Sequence, residues 1–252
     1  MLVPTEERTV FDKSVDLYDA LYRAAEKDYR AEADEVLRRV AAAGVRPASL
    51  LDVACGTGGH LQHFAAQARC VGIDVDPEMV AAARTRCPGA RIEVADMVDF
   101  DLGEQFDVVT CLFSSIGYAG TTDRLGAAVA SMARHLLPGG VLTVEPWFQP
   151  DAWRVGHLSA LFVDEPELKA ARLAVAERED DVAVLDFHYL VLRRTGVEHF
   201  TERHELTLFT WADYRDAFTS AGLAVEVDES GLSGRGLVVG RRPASTAARR
   251  PQ

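Results

Sequence analysis

The residues spaced for chemistry begin at Asp52-Val53-Ala54-Cys55-Gly56-Thr57-Gly58-Gly59-His60, a carboxylate followed by a turn of small residues. Glycine has no Cβ and tolerates positive φ, so such a turn lets backbone amides come close to a ligand. Unpaired amides at a following helix start add an electropositive end. The turn has two readings. Ala54-x-Gly56-x-x-Gly59 is a loose dinucleotide fingerprint, while Asp52-x-Ala54-x-Gly56-x-Gly58 suits another adenosine-bearing cofactor. Asp74 follows roughly twenty residues on, where an acid holds ribose hydroxyls in either case.

Later residues discriminate. Ala95-Asp96-Met97 offers an acceptor for an adenine amino group and an apolar cover for the ring. Cys111-Leu112-Phe113-Ser114-Ser115-Ile116-Gly117-Tyr118 offers carbonyls and aromatic edges of the kind a sulfonium needs, and Leu136-Leu137-Pro138-Gly139-Gly140 precedes another apolar run. His60 and His63 have no third ligand nearby in sequence, so they read as a solvated helix face and not a metal site. The Glu177–Asp181 run reads as a hairpin tip.

The elements that must position these residues alternate strand and helix. Strands are expected at 49–53, 70–75, 91–95, 106–112 and 141–145. Helices are expected from about Gly58, from Asp76-Pro77 (a cap followed by proline at the first position) and over 122–137. Helical spacing also runs from Ser14 to about Val40, carrying Tyr18, Tyr22 and Tyr29, which suit either packing or a lid. The alternation implies an α/β fold, a doubly wound, mostly parallel seven-stranded sheet with ligands at the strands' carboxyl ends. The pattern breaks at Trp147. Residues 147–165 read as irregular, and 169–178, 182–193 and 197–209 as antiparallel strands, with Asp186 and His188 sharing one face of the middle strand. A helix at 211–221 and strands near 223–227 and 236–240 close the sheet. The expected organisation is helices and cofactor core over 14–147, an inserted antiparallel sheet over 148–209, closing elements over 210–242 and a disordered tail over 243–252. Residues 1–13 read as a loose arm.

Composition narrows the class. Hydrophobic residues make up 48% of the 252, an ordinary globular share. A net charge of -12 argues against a nucleic-acid substrate. No run of apolar residues is long enough to span a membrane. A charged N-terminal stretch and four widely spaced cysteines without a C-x-x-C pair point to a cytoplasmic protein with reduced thiols.

Taken in order, the Asp52–Gly58 turn, Asp96-Met97, the Phe113–Tyr118 segment and Leu136–Gly140 resemble the motifs of class I methyltransferases dependent on S-adenosylmethionine (SAM). Ala54 stands where that family more often has glycine. A narrower resemblance covers nearly the whole chain. Asp16-Leu17-Tyr18-Asp19, Lys27-Asp28-Tyr29, Phe113–Gly117, Val144-Glu145-Pro146-Trp147, Phe187-His188-Tyr189, Leu206–Phe209 and Ser233-Gly234-Arg235-Gly236-Leu237 are similar to the N,N-dimethyltransferases of nucleotide-linked 3-aminosugars in macrolide biosynthesis. The resemblance implies a dTDP-3-amino-3,6-dideoxyhexose substrate, two successive methyl transfers and a homodimer formed with help from the added sheet. It implies a SAM site of Tyr18, Tyr29, Asp52, Ala54, Gly56, Asp74, Val75, Met79, Asp96, Met97 and Leu112. Trp147, His188 and Arg235 fall to the nucleotide sugar, with Arg154 a second cationic candidate for its diphosphate. The family often has tryptophan at Phe148, and some members have histidine at Tyr118.

Methyl transfer to nitrogen is an in-line displacement that needs alignment, exclusion of water and an unprotonated amine. Tyr118, Glu145 and His188 can accept or relay the proton, and Glu145 can instead bond a sugar hydroxyl. No metal is expected. The alternative within the fold is a SAM-dependent N-monomethyl- or O-methyltransferase on another small molecule. Outside it stand a dehydrogenase and a catalytically idle SAM-binding protein.

Overall fold

The computed structural model describes residues 11 and 13–244 of the chain. Apart from residues 11, 13, 243 and 244, the arm read over 1–13 and the tail read over 243–252 lie outside them. The chain divides into two compact units. One spans 28–152 and resumes at 207. The other joins the described residues up to Lys27 with Trp153–Leu206.

The larger unit is built on a seven-stranded sheet. In chain order its strands are β1 (Ser49–Val53), β2 (Arg69–Asp74), β3 (Arg91–Val94), β4 (Phe106–Cys111) and β5 (Leu136–Val144). The four strands of the separate antiparallel sheet then intervene as β6 (Leu158–Glu165), β7 (Leu168–Glu179), β8 (Val182–Arg193) and β9 (Gly196–Thr207), before β10 (Ala224–Asp228) and β11 (Leu237–Arg241) complete the larger one. Its order is β10-β11-β5-β4-β1-β2-β3. β1 to β5 run parallel and β11 is antiparallel to both neighbours. Every residue of β1 is buried, as a central parallel strand covered on both faces requires. Its start is clamped by Asp107, whose Oδ2 accepts from the Ala48 and Ser49 amides at 2.9 Å and from the Ser49 hydroxyl at 3.0 Å.

Helices α2 (Tyr29–Ala42), α3 (Leu61–Phe64), α4 (Pro77–Arg86), α5 (Thr122–Arg134) and α6 (Trp211–Ser220) flank this sheet, α1 (Val15–Ala24) belonging to the other unit. The starts of α2, α4, α5 and α6 are set by side chains. Asp76 caps α4 by accepting from the Glu78 amide at 2.8 Å and the Met79 amide at 3.3 Å, with Pro77 at the first position. Thr210 and Asp213 form a reciprocal capping box on α6. The strand order reverses between β1 and β4, which opens a crevice beyond their carboxyl ends. No helix among the described residues is long and apolar enough to cross a membrane. All four cysteines are buried free thiols.

The smaller unit is a four-stranded sheet in the order β6-β7-β8-β9. Its inner face, including Val163, Ala170, Tyr189 and Val191, buries Leu17, Ala20 and Leu21 of α1. That burial groups α1 with the antiparallel sheet, whereas the sequence reading had placed it with the cofactor core. A second correction is β6, which the sequence reading left irregular. Leu158 and Phe162 face outward while Leu161 and Val163 face inward, so apolar residues on both faces hide the alternation that marks a strand. The Glu177–Asp181 run does turn a hairpin, with Glu179 paired to Val182 and Asp180 at φ +51°. The outer face exposes Leu158 (73%), Phe162 (66%), Leu190 (53%) and Leu173 (46%).

Candidate active site

The turn after β1 is strained and held from several sides. Ala54 sits at φ +55° and Gly56 at +53°, the former a conformation costing an L-residue on the order of 1 kcal/mol or more. The Cys55 amide bonds the Ile73 carbonyl at 2.9 Å. Arg86 Nη1 donates to the Thr57 carbonyl at 2.8 Å and hydroxyl at 2.7 Å. A Cβ on Gly59 would stand 2.8 Å from the Tyr29 ring, so glycine is required for that ring to lie on the turn. Tyr29 also meets His60 at 4.9 Å and Phe113 at 6.4 Å, both edge to face, and thus links two loops of the crevice.

Asp74 ends β2. Its Oδ2 accepts from the Gly56 amide at 2.8 Å and its Oδ1 from the Asp76 amide at 3.0 Å. Burial pushes its carboxyl up, and these amides oppose the shift. The Val75 amide is a third donor to this carboxylate, which leaves about one of its four lone-pair sites for a ligand. The next residue, Val75, is 59% exposed, an apolar side chain open at the crevice edge. Beyond β3, Asp96 is exposed, accepts from the Val98 amide at 2.9 Å and faces Arg124 at 3.5 Å, while Met97 packs partly against the core. An acceptor for a ribose, an exposed apolar side chain and a second carboxylate match the donor set of SAM's adenosine. Leu112 and Met79 are 2% exposed and belong to the core.

Asp52 lies deeper. Thr110 donates to it at 2.7 Å, and burial pushes its carboxyl up to about 6 against opposition from His60 and that hydrogen bond. His60 corrects the sequence reading. It is 7% exposed and bonded to Glu32 at 2.7 Å, because the turn folds it under α2 and does not leave it on a solvated helix face.

The β4 and β5 ends meet at Glu145, which is wholly buried. Its Oε2 accepts from the Phe113 amide at 2.7 Å. Its Oε1 accepts from the Ser233 hydroxyl at 2.5 Å and Arg235 Nη2 at 3.2 Å. Phe113 and Ser114 are consecutive non-glycine residues at φ +54° and +64°, so this carboxylate stabilises a doubly strained turn. Ser114 helps by donating to the Pro146 carbonyl at 2.7 Å. Arg235 lies 5.5 Å from the Phe113 ring centroid and 5.6 Å from that of Trp147, and its buried Nε has no hydrogen-bond partner among the described residues. Tyr118 follows on a short 3-10 segment, Ser115–Ala119, and is half-buried.

Within the larger unit the fold therefore gathers Asp52, Ala54, Gly56, Asp74, Val75, Asp96, Met97, Leu112, Tyr118, Glu145, Trp147 and Arg235 at the carboxyl ends of the strands or the loops that follow them, with Tyr29 at the start of α2 and Met79 in the first turn of α4. Tyr18 and His188 belong to the other unit and lie on opposite faces of its sheet. Tyr18 is on α1, 4.6 Å from Tyr22. His188 is on the outer face, 5.7 Å from His199 in a shallow depression of about 820 Å³. Phe113, Ser233, Glu32 and Arg86 were not singled out as site residues. Ser233 carried a signal, standing two residues before Arg235 in a glycine-rich loop.

Comparisons with known proteins agree with this geometry. A family profile described as "Methyltransferase domain" matches residues 50–140. The chain is 45% identical over 227 residues to the dTDP-3-amino-3,4,6-trideoxy-alpha-D-glucopyranose N,N-dimethyltransferase of Streptomyces venezuelae, covering 89% of this chain and 96% of that one. It is 42% identical to the dTDP-3-amino-3,6-dideoxy-alpha-D-glucopyranose N,N-dimethyltransferase of Streptomyces fradiae, over 89% of each chain. It is 40% identical to the dTDP-4-amino-2,3,4,6-tetradeoxy-D-glucose N,N-dimethyltransferase of Saccharopolyspora spinosa, over 90% and 92%. Among solved structures, Streptomyces venezuelae DesVI matches with a TM-score of 0.87, covering 92% of this chain and 99% of that one at 45% identity. SAM-bound CalS10, an amino pentose methyltransferase from Micromonospora echinaspora, matches at 0.83, over 90% and 96% at 41% identity.

Asp52 yields a stability test. A carboxyl raised from 3.8 to about 6 in the folded state favours folding while protonated, and that contribution disappears as pH rises through about 6. Asp52→Asn keeps an acceptor for Thr110 and cannot ionise. Its stability should exceed wild type near neutral pH by up to about 3 kcal/mol, and the difference should close towards about pH 4. Denaturant melts across this range check it. A difference that does not change with pH means that Asp52 ionises as freely folded as unfolded.

Proposed function

This chain belongs to the SAM-dependent N,N-dimethyltransferases of dTDP-linked aminosugars, and from that membership we propose that it dimethylates the 3-amino group of a dTDP-linked 3-amino-3,6-dideoxyhexose in antibiotic deoxysugar biosynthesis. The observation that carries the reading is the pairing of an adenosine-type crevice with the Glu145-tied wall of Phe113, Trp147 and Arg235. The cofactor set within the larger unit is Tyr29, Asp52, Ala54, Gly56, Asp74, Val75, Met79, Asp96, Met97 and Leu112. The nucleotide sugar falls to Trp147 and Arg235 of the same unit. The S. spinosa relative is named for a 4-aminosugar, so the choice of amine position rests on the two 3-aminosugar relatives.

When bound, SAM would supply a sulfonium-activated methyl carbon open to attack by an amine lone pair, the C–S bond breaking as the N–C bond forms so that S-adenosylhomocysteine leaves. Asp74 fixes the ribose through its pre-engaged carboxylate, and Asp96 and Met97 hold the adenine. Trp147 offers an apolar wall to the sugar, and Arg235 a donor with an unpartnered Nε. The rate gain comes mainly from alignment and dryness. Glu145 has both oxygens engaged by protein donors, so its role is positioning and the proton passes to Tyr118 or water. The apolar outer face of the antiparallel sheet, led by Phe162 and Leu158, supports a homodimer built there.

Three measurements test these readings. Mass spectrometry of products from a panel of dTDP-3- and dTDP-4-aminosugars should show a gain of two methyl groups on the 3-aminosugar. A single methyl, or transfer to the 4-aminosugar alone, replaces the reading. Glu145→Gln should raise KM for the sugar about tenfold or more while the acid limb of the kcat/KM profile stays, and loss of that limb makes Glu145 the proton acceptor. Phe162→Glu should convert a sedimenting dimer to monomer, and a wild-type protein that already sediments as monomer ends the dimer reading.

A further inference from the structure

The loop between β10 and β11, residues 229–236, brings Ser233 and Arg235 to Glu145 but has little order of its own. Gly231, Gly234 and Gly236 stand at positive φ, and a glycine backbone loses the most freedom when it is fixed. Ties within the larger unit therefore hold the loop. Two lie at Glu145, through Ser233 and Arg235. A third is internal, a bridge between Gly231 and Gly236 so close that a Cβ on Gly231 would fall 2.1 Å from the Gly236 carbonyl carbon. Others run to α2. Leu232 packs against the apolar cluster to which α2 contributes Ala33, Val36 and Val40. At the root of the loop, Asp228 Oδ2 accepts from Arg39 Nη2 at 2.6 Å. Its Oδ1 accepts from the Ser230 amide at 3.0 Å and hydroxyl at 2.6 Å. The Ser230 hydroxyl and Arg39 hold the Asp228 carboxyl well below the usual carboxylate range.

Arg39 is itself held in place. Its Nε donates to Glu35 Oε1 at 2.6 Å, one turn back on the same helix, so the guanidinium meets Asp228 already oriented. The helix is anchored at its other end, where Tyr29 lies on Gly59 and Glu32 bonds His60. Arg39 stands about 15 Å along α2 from Tyr29. Asp228 transmits the hold, because one of its oxygens bonds α2 and the other bonds the first turn of the loop. We propose that Arg39 is a positioning residue for the nucleotide sugar, acting through Asp228 to fix the β10–β11 loop in the conformation that sets Arg235 beside Phe113 and Trp147. It governs the affinity for the sugar without touching it. This role rests on the reading above that Arg235 contacts the sugar.

Steady-state kinetics on the full-length enzyme test it, with SAM and dTDP-3-amino-3,6-dideoxyglucose as substrates. Calorimetric affinity for S-adenosylhomocysteine reports on α2 and the cofactor turn. Arg39→Ala should raise KM for the sugar about three- to tenfold with kcat within about twofold of wild type. The rise stays below the full value of a hydrogen bond between charged groups, because the pair is 26% and 31% exposed to screening water. Arg39→Lys should recover part of the loss. Asp228→Asn keeps an acceptor for Ser230 and should match the alanine variant, which it replaces should that variant fail to fold. S-adenosylhomocysteine should bind all three as it binds wild type. In an Arg235→Ala background, Arg39→Ala should add nothing, because a residue acting through Arg235 then has nothing to position. An unchanged KM, an equal loss of S-adenosylhomocysteine affinity or an equal further rise in that background overturns the role. An enzyme that does not turn this sugar over, or an Arg235→Ala variant with unaltered KM, overturns the underlying reading and the role with it.

Discussion

A carboxylate taken out of water must find donors, and the two at the carboxyl ends of β2 and β5 find theirs in the loops of neighbouring strands. Asp74 takes the Gly56 and Asp76 amides, joining the turn after β1 to the start of α4. Glu145 takes the Phe113 amide and the Ser233 hydroxyl, joining the turn after β4 to the loop before β11. Glu145 is therefore satisfied only when the turn at Phe113 and the loop at Ser233 are both in place, and Asp74 needs the turn at Gly56 beside its own following loop. Removing either leaves strained backbone at Ala54 or at Phe113-Ser114 with less to oppose its relaxation. The crevice owes its shape to these two ties more than to the glycines.

Charge is distributed in a corresponding way. The chain carries a net -12, yet the cations that matter are few and specifically placed. Arg86 is spent on Thr57 and holds the first turn. Arg235 is paired with Glu145 and stacked between two rings, so it acts through orientation more than field. Arg172, in the smaller unit, lies over the Phe187 and Tyr22 rings.

Much of the site was legible because its parts sit at fixed offsets from strand ends. Asp52, Asp74, Asp96 and Leu112 follow or end short apolar runs, and a parallel sheet brings such positions together whatever the loops contain. Tyr29 was legible as an aromatic preceding the turn, but its place on Gly59 was not. His60 was misread, because helical spacing suggests a solvated face and only the approach of Glu32 buries it. Strand β6 was missed because both of its faces carry apolar side chains, one covered and one exposed.

The sequence alone determined the alternating βα architecture, the adenosine-type crevice and, through its resemblance, the methyltransferase family. These follow from local periodicity and from turn chemistry that needs no distant partner. Tertiary structure alone decided that Glu145 has no oxygen free, that Arg235 is paired with it, and that α1 belongs with the antiparallel sheet. Each depends on which side chain meets which across 80 or more residues of intervening chain, as the Glu145–Ser233 and Ser14–Glu202 pairs do. At Asp52–His60 the sequence wrote the turn. Packing by Tyr29, Arg86 and Asp74 made it a rigid one, because strained backbone persists only where its surroundings hold it.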